Sequence, residues 1–362
     1  MSKNLRTPLC DTLGIELPII QAPMAGGATT VELVSAVCNA GALGSFGFAY
    51  TQPEAMMREA EGVRALTSGP FNLNLFVSNN AGAIDASEQT AALEALGPYY
   101  DELGLERPQP VKPPYAPDLV SQLSAIEEIR PGVFTFHLGD LDAKRVASMR
   151  AKGIKVGGAA TCVAEARRLE AAGVDFVIAQ GAEAGGHRGT YLRDPYDAMT
   201  GTFALVRLIV KAVRVPVVAA GGIMDGAGIA AALALGAQAA QLGTAFLPCA
   251  ESGAAALHKD AILAADEDNT LITEKFSGKP ARGIANRYVR EMQDKPVLAF
   301  PAQNVVTGPL RAASAKAGKA DFIAMWAGQA VPLARKLPAA DLVKALRDET
   351  IETLERMRRM SV

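Results

Sequence analysis

The chain has 362 residues, a length that fits one decorated barrel or two medium domains and allows a sizeable core. Hydrophobic residues make up 49% and charged residues 20%, which excludes global disorder, and four cysteines are too few for a disulfide scaffold. With 36 Lys+Arg against 38 Asp+Glu, the formal charge of -2 leaves no basic footprint for nucleic acid or an anionic membrane.

The first twenty residues carry Lys3, Arg6, Asp11 and Glu16, so no signal-peptide apolar region forms. The apolar stretch Phe203–Val218 is broken by Arg207, Lys211 and Arg214 and cannot span a bilayer. Cys10, Cys38, Cys162 and Cys249 form no C-x-x-C pair and read as reduced thiols. A soluble, cytoplasmic protein is expected.

Short apolar runs then recur, each ending at small residues and leading into a longer helix-like segment. Leu17–Gln21 precedes a helix at Thr30–Asn39, and Ala42–Phe46 precedes Pro53–Leu66, where Pro53 suits a first helical turn. Phe71–Val77 leads to an Ala-rich helix near Ala86–Leu96. Val133–Leu138 and Ile154–Gly157 precede helices at Leu141–Ala151 and Val163–Ala172. Val174–Ala179 ends in a Gly-rich loop before Phe203–Val213, Pro216–Ala220 precedes Ala227–Leu235, and Ala239–Leu242 closes the series. Each run is apolar on both faces, as a buried parallel strand is. Eight such units alternating with helices predict an α/β fold, a closed TIM (β/α)8 barrel. The absence of G-x-G-x-x-G after the first run weakens an open dinucleotide fold.

The barrel is expected over residues 1–265, with a Pro-rich insertion after the third strand at about 97–130. Residues 266–362 are expected to form a largely helical cap, its amphipathic spacing clearest in Ala339–Met357.

Function in such barrels collects at the C-terminal strand ends. After the seventh run comes Ala220-Gly221-Gly222-Ile223, and after the eighth Leu242-Gly243-Thr244. Two small-residue loops on neighbouring strands favour a phosphate, whose oxygens backbone N–H groups approach closely. One Gly pair alone would be an ordinary turn.

The sixth run ends in Gln180-Gly-Ala-Glu-Ala-Gly-Gly-His187-Arg188-Gly189. An imidazole among small neighbours at this edge can accept a proton near neutral pH, so His187 is the candidate base. Glu183 either orients that ring or caps the turn, and Arg188 either binds an anion or is solvated. Asn72 and Asn74 share a strand face at period two, and near Met24 a cofactor ring can lie against the backbone. His137 is a second pocket candidate, as readily structural as catalytic, while His258 reads as a surface residue in a Lys-flanked helix. The three histidines share no ligand spacing, so no metal is expected, and no G-x-S-x-G elbow occurs.

These stretches resemble the nitronate monooxygenases, the flavin-dependent family formerly called 2-nitropropane dioxygenases, most closely its class I branch. Four ordered motifs carry the resemblance: Gln21-Ala-Pro-Met-Ala-Gly-Gly27, Asn72-Leu-Asn-Leu-Phe76, Gly181-Ala-Glu-Ala-Gly-Gly-His-Arg-Gly189 and Phe276-Ser-Gly-Lys-Pro-Ala-Arg-Gly-Ile-Ala-Asn286. The resemblance implies non-covalent FMN with its phosphate on the Gly222 and Gly243 loops. Met24, Gly26, Asn74, Gln180, Gly185, Gly222, Gln241, Gly243 and Thr244 fall at cofactor positions. His187 falls where the family has its base for neutral nitroalkanes, and Tyr115, His137 and Arg188 are substrate-side candidates.

The implied reaction oxidises alkyl nitronates such as propionate 3-nitronate with dioxygen to an aldehyde or oxo acid and nitrite, a detoxification. The implied partners are the nitronate and dioxygen, with no nucleic acid or membrane; a homodimer is an open expectation. Two departures stand out. Lys279 replaces the commoner Arg of that motif, and Phe300 stands where a Tyr is expected. The alternatives are an FMN-dependent NAD(P)H:quinone or enoyl reductase on the same barrel, and a non-catalytic flavin-binding protein.

Overall fold

The computed structural model describes residues 5–77 and 82–360. In chain order come helix α1 (Pro8–Leu13), strand β1 (Ile19–Gln21), α2 (Val31–Asn39), β2 (Gly44–Gly47), α3 (Pro53–Leu66) and β3 (Phe71–Phe76). Two helices follow β3, α4 (Ala86–Glu102) and α5 (Leu119–Ile129), before β4 (Val133–His137). Regular alternation resumes with α6 (Ala143–Ala151), β5 (Lys155–Ala160), α7 (Val163–Ala171) and β6 (Phe176–Gln180). A short β7 (Gly186–His187) lies in the next loop, ahead of α8 (Thr202–Ala212), β8 (Val217–Ala220), α9 (Gly226–Ala234) and β9 (Ala239–Leu242). The remainder forms α10 (Ala256–Leu263), β10 (Thr270–Thr273), β11 (Ala281–Ile284), α11 (Arg287–Glu291), α12 (Ala302–Lys316) and α13 (Ala339–Arg359).

Eight strands pair in parallel in the order β1-β9-β8-β6-β5-β4-β3-β2, and a parallel Ile20–Leu43 bridge joins the two ends. The TIM barrel expected from the eight apolar runs is the fold. Alternation within a strand explains why those runs lack a polar face. Along β6, Phe176 and Ile178 join the inner cluster with Ile20, Val133 and Val218, while Val177 and Ala179 pack against the surrounding helices. Helix α1 plugs the barrel floor, adding Leu9, Cys10 and Leu13 to the inner cluster. Gly157 makes room for this filling, since a Cβ there would lie 2.4 Å from the Phe176 ring.

The C-terminal segment differs from the expected single cap. Helix α13 buries Leu342, Val343 and Leu346 in the barrel cluster and packs on α9 and α2. It thereby fills the eighth place of the helical ring, because the chain detours through the cap before supplying that helix. The insertion bounds shift for a similar reason. Helix α5 packs on α3 as a ring helix, and α4 continues through Pro98 to Glu102. The Gly-Pro-Tyr-Tyr stretch is helical because Tyr99 and Tyr100 are anchored in the cap core, overriding the local cost of proline.

The cap is also less helical than its spacing suggested. Strands β10, β11 and β7 form an antiparallel sheet in which Ala281 pairs with His187 and Arg282 with Gly186. The loop after β6 is thus stitched into the cap. No helix among the described residues is long and apolar enough to cross a membrane.

Candidate active site

A cavity of about 510 Å³ opens at the C-terminal strand ends beneath the cap. Met24, Gly26, Asn74, His137, Gln180, Gly185, His187, Gly222, Gln241, Gly243 and Thr244 all line it. These sequence candidates come from six separate stretches of chain, gathered by the barrel at one mouth. No Asp or Glu lines this cavity among the described residues. The described residues also contain no cluster of potential metal ligands.

His187 is held by both main chain and side chain. Its carbonyl accepts hydrogen bonds from Gln180 Nε2 at 2.9 Å and His137 Nε2 at 3.1 Å. Gln180 Oε1 accepts from Gly189 N at 2.7 Å, so one amide spans the loop. The His187 Nε2 lies 2.9 Å from Ser277 Oγ, and that hydroxyl donates to Lys279 O at 3.1 Å. A hydroxyl has one proton; with it on Lys279 O, Nε2–H of His187 donates to Ser277 and Nδ1 remains the proton acceptor. The rings of Phe76, Phe300 and Trp326 pack around the imidazole at centroid distances of 5.5, 5.6 and 5.7 Å.

Burial lowers the His187 pKa to about 3, assisted by His137, Lys279 and Arg311. His137 falls to about 4, chiefly by burial against the support of the His187 carbonyl. Both rings are therefore neutral at physiological pH. A proton arriving on His187 meets neighbouring cations and no lining carboxylate.

Two substrate-side expectations are corrected. Arg188 is fully buried and does not line the cavity. Its guanidinium donates to Gly181 O at 2.6 Å and Ala198 O at 2.8 Å, which makes it a strut across the loop. Gly181 O also accepts from Ala184 N at 3.2 Å, and the guanidinium satisfies carbonyls on both sides of the loop at once. Tyr115 sits in the cap core with Tyr99, Tyr100 and Phe276, because the insertion is packed rather than draped over the mouth.

His258 is corrected in the opposite direction. It lines the cavity, donates from Nε2 to Trp326 O at 3.1 Å, and burial lowers its pKa to about 4. Glu183 serves as a cap: its carboxylate accepts from Thr202 N at 2.8 and 2.9 Å, at the start of α8.

Sequence reading missed Tyr50, Asn304, Arg311 and Trp326 as lining residues. They follow β2 or lie in the cap, and only the folded chain brings them to the barrel mouth. The one available signal was the Asn304 and Arg311 spacing of seven, which puts both on one face of α12.

A cradle for a bound group is present in the same cavity. Gly221 and Gly222 have φ of 115° and 70°, a conformation that exposes backbone and suits glycine. A Cβ on Gly243 would meet only Ala22 Cβ and Met24 Sδ, at 3.5 and 3.9 Å, so space lies open beside that backbone. Gln241 Oε1 is buried with no partner in the protein, although it lines the cavity. Thr244 Oγ1 instead accepts from Gly328 N at 2.9 Å, tying the eighth barrel loop to the cap.

Fold and site together define a barrel enzyme with a neutral imidazole and a small-residue cradle in one covered cavity. The pattern of the "Nitronate monooxygenase" family matches residues 6–349. A nitronate monooxygenase of Paraburkholderia phytofirmans is 42% identical over 358 residues, covering 98% of this chain and 97% of the relative. One from Pseudomonas aeruginosa is 44% identical over 345 residues, covering 93% of this chain and 97% of the relative.

Among solved structures, nitroalkane oxidase from Streptomyces ansochromogenes superposes with a TM-score of 0.89 at 40% identity, over 96% of this chain and 99% of its own. FabK from Thermotoga maritima superposes with a TM-score of 0.78 at 29% identity, over 98% and 99% of the two chains. The chain belongs to the nitronate monooxygenase family and is an oxidoreductase.

Proposed function

We propose that the protein oxidises alkyl nitronates with dioxygen, using FMN, to an aldehyde or oxo acid and nitrite. The observation that carries this reading is a neutral, half-buried His187 in a cavity with no carboxylate among the described residues, within a chain of this family. A nitronate is already an anion. It meets no like charge there and needs no base to form.

The cavity fits the cofactor on the chain's own features. Gln241 Oε1 lacks a hydrogen-bond partner, the backbone beside Gly243 is open, and Gly222 lines the same cavity with φ of 70°. A bound ring edge would satisfy that amide oxygen, and a phosphate would find close backbone approach at the glycine loops. Met24, Gly26, Asn74, Gln180, Gly185, Gly222, Gln241, Gly243 and Thr244 are the proposed contacts. When bound, FMN supplies the redox chemistry between nitronate and dioxygen.

The residues of the chain bind, orient and exclude water. Phe76, Phe300 and Trp326 give the His187 surroundings an apolar wall. For a neutral nitroalkane, His187 Nδ1 takes the proton from the carbon bearing the nitro group, while Ser277 holds the ring from Nε2. The resulting imidazolium is opposed by burial and by Lys279 and Arg311, so nitronates should turn over much faster than nitroalkanes.

We place the protein in the cytoplasm, acting on small molecules in detoxification. The likeness to FabK favours a second reading, an FMN-dependent NAD(P)H:quinone or enoyl reductase. Oxygen uptake and nitrite release with propionate 3-nitronate test the first reading. Turnover of NADH with a quinone, and none with the nitronate, would replace it by the second.

A further inference from the structure

The loop that carries His187 is pinned residue by residue, and one of its anchors stands outside the cavity. Gln180 and His137 hold the His187 carbonyl, Arg188 N donates to Pro280 O at 2.9 Å, and Gly189 N donates to Gln180 Oε1 at 2.7 Å. The next three residues all turn to a single carboxylate, that of Glu165 in the first turn of α7. Its Oε1 accepts from Thr190 Oγ1 at 2.9 Å, Tyr191 N at 2.8 Å and Leu192 N at 3.1 Å. Its Oε2 accepts from Thr161 N at 2.6 Å and Thr161 Oγ1 at 2.8 Å, just after β5.

Glu165 is fully buried, and a charge so placed is costly unless it is met by strong hydrogen bonds. Burial alone would raise its pKa, yet the donors of Thr161, Tyr191 and Leu192 hold it below the usual carboxylate value. Oε2 serves the start of α7, and Oε1 serves the loop alone. Gly189 lies between this clamp and His187. A Cβ there would lie 2.4 Å from His137 Cε1 and 3.1 Å from Gln180 Oε1, the two side chains that hold the His187 carbonyl. A shift at Thr190 therefore cannot be absorbed at Gly189 without disturbing them.

We propose that Glu165 is a positioning residue for proton transfer: by clamping residues 190–192 it fixes the loop in the setting that His187 needs to take a proton from a neutral nitroalkane. It touches neither the cavity nor the reacting atoms, and it acts through the main chain of the loop. The assignment rests on the nitronate reading, in which a nitronate enters the cavity already deprotonated and bypasses that transfer.

The test compares kcat/KM of the holoenzyme for nitroethane and for its preformed nitronate, which differ by one proton. In Glu165→Ala the nitroalkane-to-nitronate ratio should fall about tenfold or more, because three bonds to the loop are lost at once. Thr190→Val removes one of those bonds and should lower the ratio about threefold, so it decides the matter if Glu165→Ala fails to fold. Hydrogen exchange gives a readout apart from turnover. The amides of Tyr191 and Leu192 should exchange about tenfold or more faster in Glu165→Ala, with those of β6 unchanged. An unchanged ratio in every variant that folds, equal losses on both substrates, or unchanged exchange overturns the positioning role and leaves nitronate oxidation intact. Wild-type protein that oxidises the nitronate but not nitroethane overturns it too, because His187 then has no proton to take. Wild-type protein that oxidises neither overturns the functional reading beneath it.

Discussion

The protein has three histidines, and burial lowers all of them, His187 to about 3 and His137 and His258 to about 4. An unfolded histidine titrates near pH 6.5. The unfolded chain therefore binds more protons than the native one across the interval between, so stability rises with pH there and is lost on acidification. Above pH 5.5 the native values hardly enter, and the loss is set by protonation of the unfolded imidazoles. From pH 7.0 to 5.5 each contributes about 1.2 kcal/mol, and three together about 4 kcal/mol. Carboxylates scarcely titrate in that window. Urea unfolding at half-unit pH steps reads the effect, and His258→Gln should remove about a third of it. A free energy constant within about 1 kcal/mol across the window would refute the burial argument.

Replacing His187 by Asn should lower kcat/KM for neutral nitroalkanes about a hundredfold or more while costing nitronates less than about tenfold, measured by oxygen uptake. Equal losses would make the ring a structural element. Ser277→Ala should depress nitroalkane turnover about tenfold by freeing the ring tautomer, with nitronate turnover nearly kept. Arg188→Met should cost about 1–3 kcal/mol in urea unfolding, because Ala198 O loses its guanidinium donor and Gly181 O keeps only Ala184 N. Gly157→Val forces atoms against the Phe176 ring and should destabilise by about 1–3 kcal/mol, whereas the exposed Val120→Thr should be near neutral.

Strand order and barrel closure were legible because a parallel strand buried on both faces leaves a continuous apolar run, as in Phe176–Ala179. The site was legible where small residues and polar groups cluster on one loop, as around His187. It was not legible where a side chain's role depends on which way a loop turns. Arg188 follows His187 directly, yet the β7 pairing with β11 turns the arginine into the loop interior. His258 looked solvated beside Lys259, and only the strap through Trp326 reveals its burial. The eighth ring helix was misread as cap because nothing local in Ala339–Arg359 says which apolar surface it covers. Long-range packing decided each of these.

The central claim is that this cavity passes electrons from a nitronate to a bound flavin. Purified holoenzyme should first show flavin absorbance and release FMN on denaturation. Anaerobic mixing with propionate 3-nitronate should then bleach that absorbance within the enzyme's turnover time, while NADH leaves it unchanged. Bleaching by NADH with no response to the nitronate would contradict the account.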